Sequence, residues 1–168
     1  MLLSGLVSGL VIFAAAMAVY HGWLKHTDVL QAASQEVTQR VQEMGFNKPA
    51  AFIGLGVFYV LMHSLLEEYY WRWFIFGMLR DFTTTTKAMW ISSIGFMAHH
   101  VIVLATYFGW LGFATYFFSA CVAVGGLIWS WMYQRSGKLY GPWLSHALVD
   151  AAIFVVGYDM LFLSLIHI

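Results

Sequence analysis

Charged residues are scarce in this sequence of 168 residues. Only 10% are Asp, Glu, Lys or Arg, whereas soluble domains carry roughly 25%. Hydrophobic residues make up 61%, and the mean hydropathy is +0.75. This shortage of charge excludes an ordinary soluble domain and, with eight Trp, nine Tyr and fourteen Phe, indicates a polytopic membrane protein. The formal net charge is zero, so no nucleic-acid partner is expected.

Cysteine is nearly absent as well. Cys121 is the only one, which excludes an internal disulfide and any Cys-rich metal site. We interpret it as a small apolar residue inside a span. The N-terminal apolar run, 2–20, has no basic residue before it, and its small residues "AAAMA" lie inside the run. We therefore expect a retained first span rather than a cleaved signal peptide.

Five apolar segments are long enough to cross a bilayer. They cover approximately 2–20, 49–79, 88–108, 111–134 and 142–162. Residues 88–134 contain no Asp, Glu, Lys or Arg, but a single helix of that length would overshoot a bilayer about 30 Å thick. The break "FGWLG" therefore predicts two antiparallel spans. The predicted fold is an all-α transmembrane bundle of about five spans, forming one domain over 1–162.

The segment between the first two spans is amphipathic. In "TDVLQAASQEVTQRVQEMGF", apolar side chains recur at helical spacing while Gln, Glu and Arg fill the other side. The apolar positions are Val29, Leu30, Ala33, Val37, Val41 and Met44. This pattern predicts an interfacial helix on the membrane surface or packed over the bundle, capped by Thr27 or Asp28.

The basic residues of the connecting segments favour a cytoplasmic N-terminus. Four lie on that side (Arg80, Lys87, Arg135 and Lys138) and three on the other (Lys25, Arg40 and Lys48). We expect an integral protein of a prokaryotic cytoplasmic membrane. The last six residues, "LSLIHI", are what one reading frame of a common transposon-type sequencing adapter encodes. We therefore expect 163–168 to be a non-native tail and assign His167 no role.

Three charged side chains interrupt the second span at "EEYYWR". A charge at the centre of a membrane helix costs about 2.5–3.5 kcal/mol on insertion scales. Glu68 and Arg72 are spaced i, i+4, so they share a helical face and can pair. Glu67 points about 100° away from Glu68 and is left without a local partner. Its position predicts either a functional carboxylate or one that snorkels to water.

Two other spans carry ionisable residues of their own. The third has His99 and His100, and because they are adjacent we expect only one to face a shared site. The fifth has His146 and Asp150 on one face. At 1.5 Å per residue, Glu67 and His100 lie about 20 Å from one membrane face, but His146 only about 6 Å. A shared site therefore requires either that the fifth helix starts below the surface or that the other two start outside it.

This set of residues suits peptide hydrolysis. A Glu beside a His can deprotonate a water, and a second His can stabilise an oxyanion. Zinc bound by Glu67, His100 and His146 is an alternative, although no HExxH motif is present. No Ser lies in a GxSxG-like setting. A third possibility is a non-catalytic membrane scaffold or immunity protein in which these polar residues only lock helices together.

The three polar elements resemble, in order, the three motifs of the CPBP family, which includes the CAAX prenyl endopeptidases. Its EExxxR, FxxxH and HxxxN/D motifs correspond here to Glu67, Glu68 and Arg72; Phe96 and His100; and His146 and Asp150. The resemblance covers roughly residues 49–152. It implies a glutamic-type intramembrane endopeptidase without a cofactor, acting on membrane-anchored peptides or proteins in the bilayer and processing C-terminal tails or sorting signals.

The resemblance also implies a role for each site residue. Glu67 and His100 would activate the attacking water. His146 and Asp150 would stabilise the oxyanion, with Asp150 either protonated and donating directly or ionised and orienting His146. The remaining motif residues would support the structure, and these are Glu68, Arg72 and Phe96.

Overall fold

The computed structural model describes residues 2–163, in which all regular secondary structure is helical. Eight α-helices occur in this range: α1 Leu2–Gly22, α2 Asp28–Glu43, α3 Pro49–Phe58, α4 Ser64–Glu68, α5 Gly77–Phe82, α6 Thr85–Phe108, α7 Phe113–Ser136 and α8 Tyr140–Tyr158. The other helical segments are a 3₁₀ turn, Leu24–His26, and three π-helical segments, Tyr59–His63, Tyr69–Phe76 and Asp159–Leu163. Two of the π-helical segments join α3, α4 and α5 into one long helix, which we call the second span.

Five helices are long and apolar enough to cross a membrane, which confirms the predicted all-α bundle. They are Leu2–His26, Pro49–Phe82, Thr85–Phe108, Phe113–Ser136 and Tyr140–Leu163. The chain is therefore an integral membrane protein. The predicted non-native tail lies outside the described residues, apart from Leu163.

Glycines shape the two tight connections that follow α6 and α7. Gly109 ends α6 with φ +75° and Gly137 ends α7 with φ +62°. Residues with a Cβ rarely adopt these angles, so glycine is the favoured residue at such helix ends. The predicted break "FGWLG" thus separates two neighbouring spans, and only three residues connect α7 to α8.

The first span packs closely against α8 through small residues. A Cβ added at Gly5 would lie 2.3 Å from the carbonyl oxygen of Gly141, and one at Gly9 would lie 2.6 Å from Cδ1 of Leu148. Glycines four residues apart let membrane helices approach this closely. The spacing is visible in "GLVSG", although our sequence analysis did not use it.

The amphipathic helix α2 packs over one end of the bundle. The Thr27 side chain caps it by accepting from the backbone N–H of Leu30. Leu30 packs with Tyr20 and Met160, whereas Val41 joins a separate cluster with Phe52 and Leu161. The buried face is narrower than predicted, with its outer members exposed; these are Val29 and Met44.

The start of α8 lies below the end of the second span. His146 comes six residues after α8 begins at Tyr140, whereas its hydrogen-bond partner Glu68 lies 14 residues before the second span ends at Phe82. The difference of eight residues corresponds to about 12 Å of helix. The fifth helix therefore starts below the end of the second span. Both arrangements expected from the sequence produce this offset.

Candidate active site

The two adjacent glutamates of the second span have different surroundings. Glu68 is completely buried, whereas Glu67 retains 9% exposure. Oε1 of Glu68 lies 3.1 Å from Nη1 of Arg72, so the ion pair predicted from their spacing is present. These residues sit where α4 gives way to the π-helical segment Tyr69–Phe76, and π-helical turns occur frequently at functional sites.

Arg72 is only 1% exposed and lies between aromatic rings. Its Cζ atom is 4.5 Å from the ring centre of Phe96 and 5.0 Å from that of Trp129, within the range of cation–π attraction. A Cβ at Gly126 would come within 3.4 Å of Nη2. Among the described residues, the guanidinium has no hydrogen bond from Nε or Nη2. Its position therefore depends on Glu68 and on the two rings.

Both nitrogens of the His146 ring face carboxylates. Nδ1 lies 2.8 Å from Oε1 of Glu68. Because Glu68 is also paired with Arg72, we assign the Nδ1–H as donor to an ionised carboxylate. Nε2 lies 3.6 Å from Oε2 of Glu67 and 3.6 Å from Oδ1 of Asp150. His146 therefore links the second and fifth spans.

Trp129 fixes the plane of the His146 ring. The two rings stack with centres 4.2 Å apart and an interplanar angle of 13°. The indole N–H of Trp129 donates to Oγ of Ser145 at 3.0 Å, and Ser8 of the first span donates to the same atom at 2.9 Å. A chain of side chains thus connects α1 to the site. No motif pointed to Trp129, because its role depends on tertiary packing.

Both histidines of the third span reach Glu67, so the expectation that only one would do so is wrong. His99 Nδ1 lies 3.8 Å from Oε1 of Glu67. One ligand atom each from Glu67, His99 and His100 lies within 4.8 Å of the others, and the imidazole centres are 5.0 Å apart. Adjacent helical residues point about 100° apart, and the long glutamate side chain lies where both rings can reach it.

The tautomer of neutral His100 follows from its hydrogen bond. Its Nδ1 lies 3.0 Å from the carbonyl oxygen of Phe96. Because a carbonyl can only accept, Nδ1 carries the hydrogen, and Nε2 keeps its lone pair. The Phe96 ring packs edge-on against both His100 and His146. Phe96 thus holds the two histidines at a fixed separation.

His63 is a site residue that the sequence analysis missed. Its Nδ1 lies 3.7 Å from Oε2 of Glu67, and its ring packs on Tyr59 with centres 4.6 Å apart. The i, i+4 spacing to Glu67 was the available signal. A cleft of about 300 Å³ opens beside these residues. It is lined by His63, Leu66, Glu67, Tyr70, Trp71 and His99.

The alternative zinc ligand set expected from the sequence, Glu67, His100 and His146, differs from the group that the structure brings together. The structure groups Glu67 with His99 and His100 at metal-ligand spacing, and His146 is not part of that group within residues 2–163. A metal ion in this cleft would therefore be held by both histidines of the third span.

Comparison with protein families gives one finding. A family model described as type II CAAX prenyl endopeptidase Rce1-like matches residues 49–152. The matched region begins at α3 and ends within α8. It contains all seven residues of the three motifs. No curated protein and no solved structure matches the chain.

Proposed function

This chain belongs to the Rce1-like family of type II CAAX prenyl endopeptidases, a family of proteases, and we propose that it is an intramembrane endopeptidase of the glutamic type. One observation carries the proposal. Ionisable side chains of three separate spans converge on Glu67, at 3.8 Å for His99 and 3.6 Å for His146. Such residues are costly inside a bilayer and usually mark a functional site.

Glu67 is the proposed general base. It takes a proton from a water molecule that is also held by the free Nε2 of His100. The oxygen of this water forms a bond to the scissile carbonyl carbon. When the C–N bond then breaks, the proton carried by Glu67 passes to the departing amine. This sequence requires neither a covalent intermediate nor a cofactor.

His146 and Asp150 are the proposed oxyanion stabilisers. Because Nδ1–H of His146 donates to Glu68, Nε2 can also donate only when the ring is an imidazolium. Glu68 supplies the counter-charge for that state. Oδ2 of Asp150 is buried and has no hydrogen bond among residues 2–163, so a protonated Asp150 has a group available for the substrate oxygen.

The cleft beside Glu67 suggests how substrates enter. It opens on the side of the bundle, where Leu66 and Tyr70 are about half exposed, rather than at the end of a helix. A bilayer would surround this opening. The proposed substrates are therefore membrane-anchored peptides or proteins whose cleavage site follows or precedes an apolar or lipidated tail.

A metal-dependent protease is the second candidate, because Glu67, His99 and His100 have the spacing of a metal site. In that reaction, zinc would activate the water and His146 would keep its oxyanion role. The two mechanisms differ in their response to chelators. A scaffold without catalytic activity would cleave no peptide under either condition.

Fluorogenic peptides carrying an apolar or lipidated C-terminal tail test the proposal. The purified protein is reconstituted in lipid nanodiscs and assayed with and without a chelator. We expect cleavage that survives chelation and is lost in Glu67→Gln. The exposed Glu43→Gln on α2 serves as the matched control and should retain activity. Chelator-sensitive cleavage restored by zinc would replace the proposal with the metal mechanism, and no cleavage of any peptide would refute both.

A further inference from the structure

We propose that Glu67, His99 and His100 also form a binding site for Zn²⁺, and that the bound ion inhibits the peptidase. The inhibition rests on the proposed function, whereas the binding of the ion does not. Free zinc that enters the cleft would then lower the rate of peptide cleavage.

The donor set suits zinc. Two imidazoles and one carboxylate are common zinc ligands, and the three ligand atoms already lie within 4.8 Å of one another. The Nδ1–H of His100 donates to the Phe96 carbonyl at 3.0 Å. Metal-binding histidines usually donate their second N–H in this way, which orients the ring and leaves Nε2 for the ion.

The cleft can admit the ion with its remaining water ligands. Its volume of about 300 Å³ exceeds several times the roughly 30 Å³ that a water occupies in the liquid. His63 also lines the cleft, with Nδ1 3.7 Å from the second oxygen of Glu67. Either this nitrogen or a water can complete a tetrahedron.

The geometry favours a reversible ion over a resident cofactor. Ligand atoms that lie 2.0–2.1 Å from a tetrahedral zinc ion are about 3.4 Å from one another. The three ligand atoms are separated by up to 4.8 Å, so they must approach one another when the ion binds. The His99 side chain, at 48% exposure, is free to make this movement. Ordering an exposed side chain opposes binding, which weakens the site relative to a preformed one.

Binding would block the proposed reaction directly. The ion would occupy the carboxylate oxygen and the imidazole lone pair that hold and deprotonate the water. It would also draw Glu67 toward the third span and away from His146. Zinc should therefore lower kcat even while the substrate remains bound.

His99→Gln tests the proposal, because it removes one ligand of the ion and leaves Glu67 and His100, the two groups proposed to hold and deprotonate the water. Cleavage by each variant is expressed relative to its own rate without zinc. Zinc is titrated into detergent-solubilised protein by calorimetry, Co²⁺ is followed by its visible absorption, and peptide cleavage is measured across the same concentrations. We expect one ion per chain and inhibition of the native protein. His99→Gln should bind zinc at least about tenfold more weakly, and the zinc concentration that halves its own zinc-free rate should rise by the same factor. The exposed His26→Gln is the matched control and should behave like the native protein.

The outcomes separate the two proposals. Inhibition that persists unchanged in His99→Gln, or the absence of any zinc effect on an active enzyme, overturns the inhibitory site. Activation by zinc overturns it in favour of the metal mechanism. If the native protein cleaves nothing, the proposed function fails. The zinc site itself is then supported if Co²⁺ absorption is lost in His99→Gln and Glu67→Gln but kept in His26→Gln. Any other pattern overturns it.

Discussion

His146 and Glu68 share a 2.8 Å hydrogen bond between the fifth and second spans. The same carboxylate oxygen lies 3.1 Å from Nη1 of Arg72. Oε1 of Glu68 thus contacts both Arg72, which stabilises the fold, and His146, which is proposed to act on the substrate. Glu68 is therefore a positioning residue for His146 as well as a partner for Arg72, a role that the family motif alone did not suggest.

Glu68→Gln should lower both stability and activity. Glutamine leaves Arg72 without a charged partner inside the membrane, and breaking a buried pair costs up to about 3–5 kcal/mol. The loss of His146 orientation should reduce kcat by about 10²-fold. Thermal unfolding in detergent and peptide cleavage measure the two effects. A stable but inactive Glu68→Gln would mean that Glu68 rather than Glu67 is the base.

Glu67→Gln should abolish cleavage and leave the fold intact. The amide keeps the shape of the side chain but cannot accept the proton, and general base catalysis contributes about 10²–10⁴-fold. Unlike Glu68, Glu67 has no buried cation within ion-pair distance among the described residues, only imidazoles at 3.6–3.8 Å. The melting temperature should therefore remain near that of the native protein. Substantial turnover by the pure variant would remove Glu67 from the mechanism.

Asp150→Asn should retain most activity. Because Glu68 already orients His146 at 2.8 Å and Asp150 lies 3.6 Å from that ring, direct donation to the oxyanion is the better-supported role. An ionised carboxylate has no donor, whereas an amide has one at every pH. The pH–rate profile of the native enzyme should therefore fall at high pH in a limb that Asp150→Asn lacks. A loss of about 10²–10³-fold in the variant at every pH would instead support the orienting role.

Gly5→Ala should destabilise the protein although it adds a single methyl group. The new Cβ would lie 2.3 Å from the carbonyl oxygen of Gly141, so α1 must move away from α8. Overpacking of this kind costs about 1–3 kcal/mol. The movement would also stretch the hydrogen bond from Ser8 to Ser145, which supports Trp129.

Gly54→Ala is the matched control for this change. Gly54 also lies within a membrane-spanning helix, but a Cβ there meets nothing within 4 Å. Its melting temperature and activity should match those of the native protein or rise slightly. Equal melting temperatures for the two variants would show that the first span does not depend on close contact with α8.

The spans and their connections were predictable because they depend on local sequence. Long apolar runs must cross the bilayer, and "FGWLG" had to interrupt a run too long for one helix. The depth of α8 was only bounded, because the bond between His146 and Glu68 joins segments that are distant in the sequence. The narrower buried face of α2 has the same origin, since its neighbours Tyr20, Phe52 and Met160 come from three different spans.

The site was predictable where residues fall one helical turn apart. That spacing gave the pair of Glu68 with Arg72, and it could have given His63 beside Glu67. The same reasoning predicted that only one of the adjacent residues His99 and His100 faces the site. That prediction fails for His99, because the direction of a residue on its own helix does not tell how far a long side chain of a neighbouring helix extends. Trp129 and the bond from Glu68 to His146 depend on tertiary geometry alone.

In the proposed reaction, the sideways opening of the cleft would determine which measure of substrate concentration sets the rate. A substrate that reaches Glu67 past Leu66 and Tyr70 travels within the plane of the membrane, so its encounter rate follows its mole fraction among lipids rather than its molarity in water. Adding inert lipid at a constant amount of enzyme and peptide would dilute the substrate and slow the reaction. Adding buffer would leave the rate per enzyme unchanged.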